Sequence, residues 1–141
     1  LNPMLIISNK SMRNLAANGG ELYPQLEDTL AALSKDHRLF IVSNCQNGYI
    51  EAFFEYYSLE RYFTDYLCWG DTHKPKSETL KLIMQKNHCT SAVYVGDTQG
   101  DFDAASAAGI PFIHAAYGFG ELTSPPAASA ASVSELVKIF E

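Results

Sequence analysis

The stretch Ala92-Val93-Tyr94-Val95-Gly96-Asp97-Thr98-Gln99-Gly100-Asp101-Phe102-Asp103 limits the possible architecture more than any other part of the chain. A short apolar run rich in β-branched residues reads as a buried strand. It stops at Gly96, and a carboxylate follows at once. Asp101 and Asp103 come shortly after. Ala104 to Ala108 then reads as a small-residue helix closed by Gly109. A strand that runs through a glycine turn into a helix is one half of a parallel crossover. Ligands in open sheets of that kind bind beyond the carboxyl ends of the strands. Asp97 and Asp101 fall there.

The rest of the chain repeats this alternation. Pro24 stands at a first helical position, and Leu26, Leu30 and Leu33 follow at helical spacing, which predicts a helix over 24–35. Residues 38–43 read as a buried strand ending in Ser43-Asn44, and 46–57 as a helix with Ile50, Phe53, Phe54 and Tyr57 on one face. A third strand is expected over 65–69, then a loop carrying His73, Lys74 and Lys76, then a helix from about 77 to 87. Residues 111–115 give one more strand, 123–132 a surface loop by composition, and 133–140 a last helix. Strands alternating with helices imply a parallel sheet with helices on both faces, a Rossmann-like three-layer α/β domain.

Composition narrows the partners. A chain of 141 residues with 47% hydrophobic residues can bury a real core. The net charge of −6 carries no basic block, so nucleic acid is not the expected partner. No apolar run approaches a membrane span, so no membrane partner is expected. Cys45, Cys68 and Cys89 show neither zinc nor disulfide spacing and read as reduced thiols, as in a cytoplasmic protein. His37 and His88 read as exposed residues near helix ends, His73 as loop surface, and His114 as a satisfied core or rim histidine. Asp103 reads as surface charge.

Three strand ends therefore carry polar groups that suit phosphoryl transfer. Ser43 and Asn44 can hold phosphate oxygens at the start of a helix. A lysine can neutralise charge on a transferred group. Closely spaced carboxylates can hold Mg²⁺ through oxygen ligands.

Val42-Ser43-Asn44, Lys74-Pro75 and Gly96-Asp97-x-x-x-Asp101, in that order and spacing, resemble the second, third and fourth motifs of the haloacid dehalogenase-like hydrolase superfamily. Glu21-Leu22-Tyr23-Pro24 and the Ala104 to Gly109 segment resemble its phosphoglycolate phosphatase-like branch. The resemblance runs from about residue 20 to the C-terminus. It implies a Mg²⁺-dependent phosphatase acting on a small phosphorylated metabolite. Ser43 and Asn44 would bind phosphate, and Lys74 would stabilise nucleophile and phosphate, with Lys76 the alternative if the register shifts. Asp97 would bind the metal, and Asp101 would support it directly or through water.

The family's first motif, an Asp-x-Asp at the end of the central strand whose first Asp is the nucleophile, does not occur here. With a chain that starts at Leu1, the expectation is a core whose central nucleophile strand is missing. Residues 1–20 would then be the remnant of a helical cap with its linker, and 21–141 the core domain. The alternative makes Met4-Leu5-Ile6-Ile7 the central strand and Ser8-Asn9-Lys10-Ser11 a degenerate first motif in an inactive phosphate-binding or regulatory module.

Overall fold

The computed structural model describes residues 4–8, 24–43, 59–96, 98–115 and 125–130, with single positions at 48, 50, 51, 54, 122, 135 and 139. Its frame is a six-stranded sheet in which every neighbouring pair is parallel. In chain order the elements are β1 (Met4–Ser8), α1 (Pro24–Asp36), β2 (Leu39–Ser43) and, after a 3-10 turn at Glu60–Tyr62, β3 (Asp65–Cys68). Then come α2 (Trp69–Thr72), α3 (Lys76–Lys86), β4 (Ala92–Gly96), α4 (Gln99–Ala108), β5 (Phe112–Ala115) and β6 (Ala128–Ala130).

The strands lie in the order β3-β2-β1-β4-β5-β6. The chain winds outward from β1 in one direction through β2 and β3, then returns and continues the other way through β4, β5 and β6. Beyond the ends of β1 and β4 the direction of winding reverses, which is where such sheets open a ligand crevice.

Both faces of the sheet are covered, which is why its strands read as nearly unbroken apolar runs. On one face Leu5, Ile7, Leu39, Ile41, Val95 and Ile113 pack with Leu30 and Leu33 of α1 and with Ile50 and Phe54. On the other, Met4, Ile6, Phe40, Val42, Tyr94 and Phe112 pack with Leu80 and Ile83 of α3 and with Ala104 and Ala105 of α4. The alanines on α4 let that helix sit close to the strands. The arrangement is the expected three-layer α/β sandwich.

The expectation of a missing central strand is corrected. Met4–Ser8 fills the central place, with Leu5 opposite Leu39 on one side and Val93 on the other, and Ile6 between Phe40 and Tyr94. All five of its residues are buried. Leaving this position empty would give β2 and β4 an unpaired edge each, and burying Met4, Leu5, Ile6 and Ile7 is worth roughly 1.5–3 kcal/mol per side chain. Four apolar residues in a row cannot be told from a piece of helix by periodicity. Of the segment 1–20 assigned to a cap remnant, 4–8 thus belongs to the sheet, and 9–20 lies outside the described residues.

Smaller differences have equally local causes. Trp69, expected to end β3, begins the one-turn helix α2. Within the loop expected over 123–132, Ala128–Ala130 forms an edge strand on β5, held in register by Ile113 opposite Ala128. Its small residues carry no strand propensity of their own, and pairing overrides that. His37 is buried rather than exposed, whereas His88 is exposed. Cys68 and Cys89 are free thiols, and Cys45 lies outside the described residues. Among the described residues no helix is long and apolar enough to cross a membrane.

Candidate phosphate-handling site

Because all strands run the same way, Ser8, Ser43, Cys68, Gly96 and Ala115 end them at one edge of the sheet. The register puts Ser8 opposite Val42 and Ser43 opposite Cys68. Of the polar residues picked out by sequence, Ser43 is placed at that edge by the topology itself.

Asp101 is the best defined of them. It sits in the first turn of α4, where a carboxylate complements the helix dipole. Thr98 caps the helix. Its hydroxyl accepts from the Asp101 N–H at 3.1 Å, and Asp101 Oδ2 accepts in return from the Thr98 N–H at 3.4 Å. This reciprocal pair is a capping box with aspartate in the glutamate position. Asp101 is only 2% exposed. A carboxylate so buried needs partners, and it has them. Lys76 Nζ lies 2.5 Å from Oδ1, and the Tyr94 hydroxyl lies 3.4 Å from the same oxygen.

Lys76 opens α3, a place where a cation opposes the helix dipole. Asp101 offsets that cost and draws the ammonium inward, leaving the Lys76 side chain 15% exposed. Lys74 is placed differently. Its backbone N–H donates to Thr72 Oγ1 at 3.2 Å, and the residue is exposed. The same Thr72 hydroxyl lies 3.0 Å from Thr79 Oγ1, which ties the loop to α3. Of the two lysines, Lys76 is the one brought to Asp101.

Ser43 ends β2 and is half-buried. Asn44 and Asp97 lie outside the described residues. His73 is exposed and packs its ring edge-on against Trp69 at 4.8 Å. Asp103 is exposed and accepts from Gln99 Nε2 at 2.9 Å, in keeping with a surface role. His114 departs from expectation. It stands opposite Gly96 on β5, and its Nε2 is buried with no hydrogen-bond partner among the described residues.

The sequence reading missed two residues here. Thr98 could have been found from Thr-x-x-Asp at a helix start. Tyr94 could have been found as the only hydroxyl in an otherwise aliphatic strand.

The profile of the haloacid dehalogenase-like hydrolases matches residues 4–115 of this chain. This chain belongs to that family. A phosphoglycolate phosphatase of Salmonella typhi is 30% identical over 116 residues, covering 79% of this chain and 46% of the relative. The chain thus spans about half the length of the curated relatives it matches. Among solved structures, a haloacid dehalogenase-like hydrolase from Streptococcus pneumoniae superposes with a TM-score of 0.78 at 22% identity, over 85% of this chain and 60% of that one. A subfamily IA hydrolase of the same superfamily from Geobacter sulfurreducens gives 0.76 at 14% identity, over 98% and 100% of the two chains. At such identities the structures speak for the fold alone.

Within the haloacid dehalogenase-like family the end of the central strand is the place of a nucleophilic aspartate, as the resemblance above implies. Here that place holds Ser8, 2% exposed. Whether the residues present suit Mg²⁺ can be judged from the donors. Among the described residues no group of three or more His, Cys, Asp or Glu side chains could hold a metal. The Asp101 carboxylate is engaged by Lys76, Tyr94 and Thr98. The described residues alone do not make a Mg²⁺ site.

Proposed function

We propose that this chain forms the core of a phosphatase that hydrolyses small phosphate monoesters. The observation that supports this reading best is the buried Lys76–Asp101 pair at the carboxyl edge of the sheet, beside the strand that ends in Ser43. The names of the phosphoglycolate phosphatase relatives point to the same chemistry.

In this reading Ser43 and Asn44 hold phosphate oxygens, and Lys76 neutralises charge on the phosphoryl group as it is transferred. Lys74 is left to the surface. Asp101 acts through Lys76 and through the cap of α4, and not as a direct metal ligand. Asp97 is the residue that would hold Mg²⁺, whose contribution is to offset the negative charge of phosphate. Hydrolysis proceeds through an aspartyl phosphate. The central strand does not supply that aspartate, because the end of β1 carries Ser8. With a net charge of −6 and no basic block to hold a polyanion, a small phosphorylated metabolite in the cytoplasm is the proposed substrate class.

A second reading is favoured by one observation. Met4–Ser8 already fills the central strand and supplies a serine at its end. A chain built so would bind phosphate without hydrolysing it, as a regulatory module.

The experiments are direct. Incubated with a chromogenic phosphate ester and Mg²⁺, the purified chain is expected to release nothing. Robust release, abolished by Asp97→Ala, would overturn the reading that this chain lacks its nucleophile. Calorimetry with orthophosphate and Mg²⁺ is expected to show binding that Ser43→Ala and Lys76→Met weaken. No binding to the unmodified chain would overturn both readings. Ser8→Asp separates them: a hydroxylamine-labile phosphoenzyme marks a phosphatase core, and phosphate binding without one marks a binding module.

A further inference from the structure

Tyr94 is among the largest fully buried side chains of the chain, at 0% exposure. It lies on β4 among Ala92, Val93 and Val95, where a phenylalanine would fill the same space. Its ring packs near Phe112, with centroids 6.2 Å apart. A phenol hydroxyl in such a place must find acceptors. Among the described residues it reaches the Val42 carbonyl at 3.2 Å and Asp101 Oδ1 at 3.4 Å.

The positions of those acceptors give the hydroxyl its meaning. Val42 is on β2, and β1 lies between β2 and β4. The Tyr94 side chain therefore reaches across the central strand. Val42 directly precedes Ser43, and Asp101 holds Lys76. One hydroxyl has one proton to donate, so the carbonyl and the carboxylate share it, and a shift at either end changes its bond to the other.

We infer that Tyr94 is a positioning residue that ties the Ser43 arm of the site to the Lys76–Asp101 arm across β1. The inference rests on the reading of those two arms as phosphate-binding. The tie itself can be tested without that reading. Its logic is preorganisation: two arms on different strands bind one phosphate well only if their separation is set before it arrives. No bond forms or breaks. The hydroxyl sets distance and orientation.

The test is Tyr94→Phe, which deletes one oxygen and keeps the ring. Orthophosphate affinity, measured by calorimetry in Mg²⁺ buffer, is expected to fall about three- to tenfold. In the Asp101→Ala background, which has no acceptor for the hydroxyl at that end, the same change is expected to have little further effect. A merely structural tyrosine would lower thermal stability in both backgrounds and leave the affinity alone. A second readout needs no phosphate. The Tyr94 hydroxyl proton is expected to be protected from exchange, with a resonance that moves in Asp101→Asn. A resonance indifferent to that change, or wild-type affinity in Tyr94→Phe, would overturn the inference. Absence of phosphate binding by the unmodified chain, with a resonance that does move, would instead overturn the functional reading and leave the tie as a structural one.

Discussion

The Asp101 carboxylate rests directly against the backbone of Gly96. A Cβ placed on Gly96 would stand 2.6 Å from Asp101 Oδ2 and 2.7 Å from Asp101 Cβ. The glycine that ends β4 is there because the first turn of α4 folds back onto it.

Gly96→Ala is therefore expected to be costly. The obstructing atoms include the Cβ of Asp101, which cannot swing aside without moving α4. A loss of roughly 1–3 kcal/mol is expected from such overpacking, seen as a lower urea midpoint. Gly100→Ala is the control. The nearest atom to a Cβ there is Thr98 Oγ1 at 3.7 Å, so helix propensity alone applies, with a gain of about 0.5–1 kcal/mol. Equal effects at both positions would show that the approach of Asp101 to Gly96 is not the reason for the glycine.

The two lysines should separate cleanly. Lys76→Met takes the cation from a carboxylate that is 2% exposed but leaves its hydrogen bonds from Tyr94 and Thr98, and breaking a buried pair costs about 3–5 kcal/mol. The low end is expected, because Lys76 keeps some contact with solvent. Lys74→Met is expected to stay within about 0.5 kcal/mol of the parent, as an exposed substitution should. Combining Lys76→Met with Asp101→Asn is expected to recover much of the loss, since no unpaired charge is then buried. Denaturant unfolding of the four proteins checks all of this.

Asp65 sets an acid limit at the other end of β3. Burial pushes its carboxyl up, but hydrogen bonds from the Asn87 amide, the Tyr66 N–H and Lys86, with the charge of Lys86, together hold it below the ordinary carboxylate range. The Asn87 contact is 3.1 Å and the Tyr66 contact 2.9 Å. A folded pKa below the unfolded value of about 3.9 adds stability above that pH, which is lost as pH falls through the folded value. Asp65→Asn is expected to be the less stable protein at pH 7 and to close the gap to the parent below about pH 4. A constant difference from pH 7 to pH 3 would refute the assignment.

His114 offers the opposite sign. Its Nε2 is buried with no partner among the described residues, and an unsatisfied group of that kind costs about 1–3 kcal/mol. His114→Leu removes that cost at similar volume and is expected to raise the thermal midpoint. A drop would mean that the imidazole is held for another purpose at the carboxyl edge of β5.

Much of this was legible in the residues, and the reasons are local. The β4 run, the Thr98 cap and the Gly109 terminator are signals within one segment. So are the helical spacing of α1 and the apolar strands on either side of it. Polar residues at the ends of parallel strands share an edge, so Ser43, the loop carrying Lys74 and Lys76, and Asp101 could be grouped from the sequence. Other features depend on partners far along the chain. Met4–Ser8 is a strand because β2 and β4 need a neighbour between them, and four apolar residues in a row left that reading only as the alternative to a cap helix. Lys74 and Lys76 are alike in type and nearly adjacent. Only Asp101, 25 residues beyond Lys76, distinguishes them. The Tyr94 hydroxyl bonds a carbonyl 52 residues earlier, which no pattern within a strand reports. Periodicity, caps and strand ends are properties of the chain as written. Which charge is buried beside which, and which strand stands in the middle, follow from desolvation and packing, and those exist only once the sheet has closed.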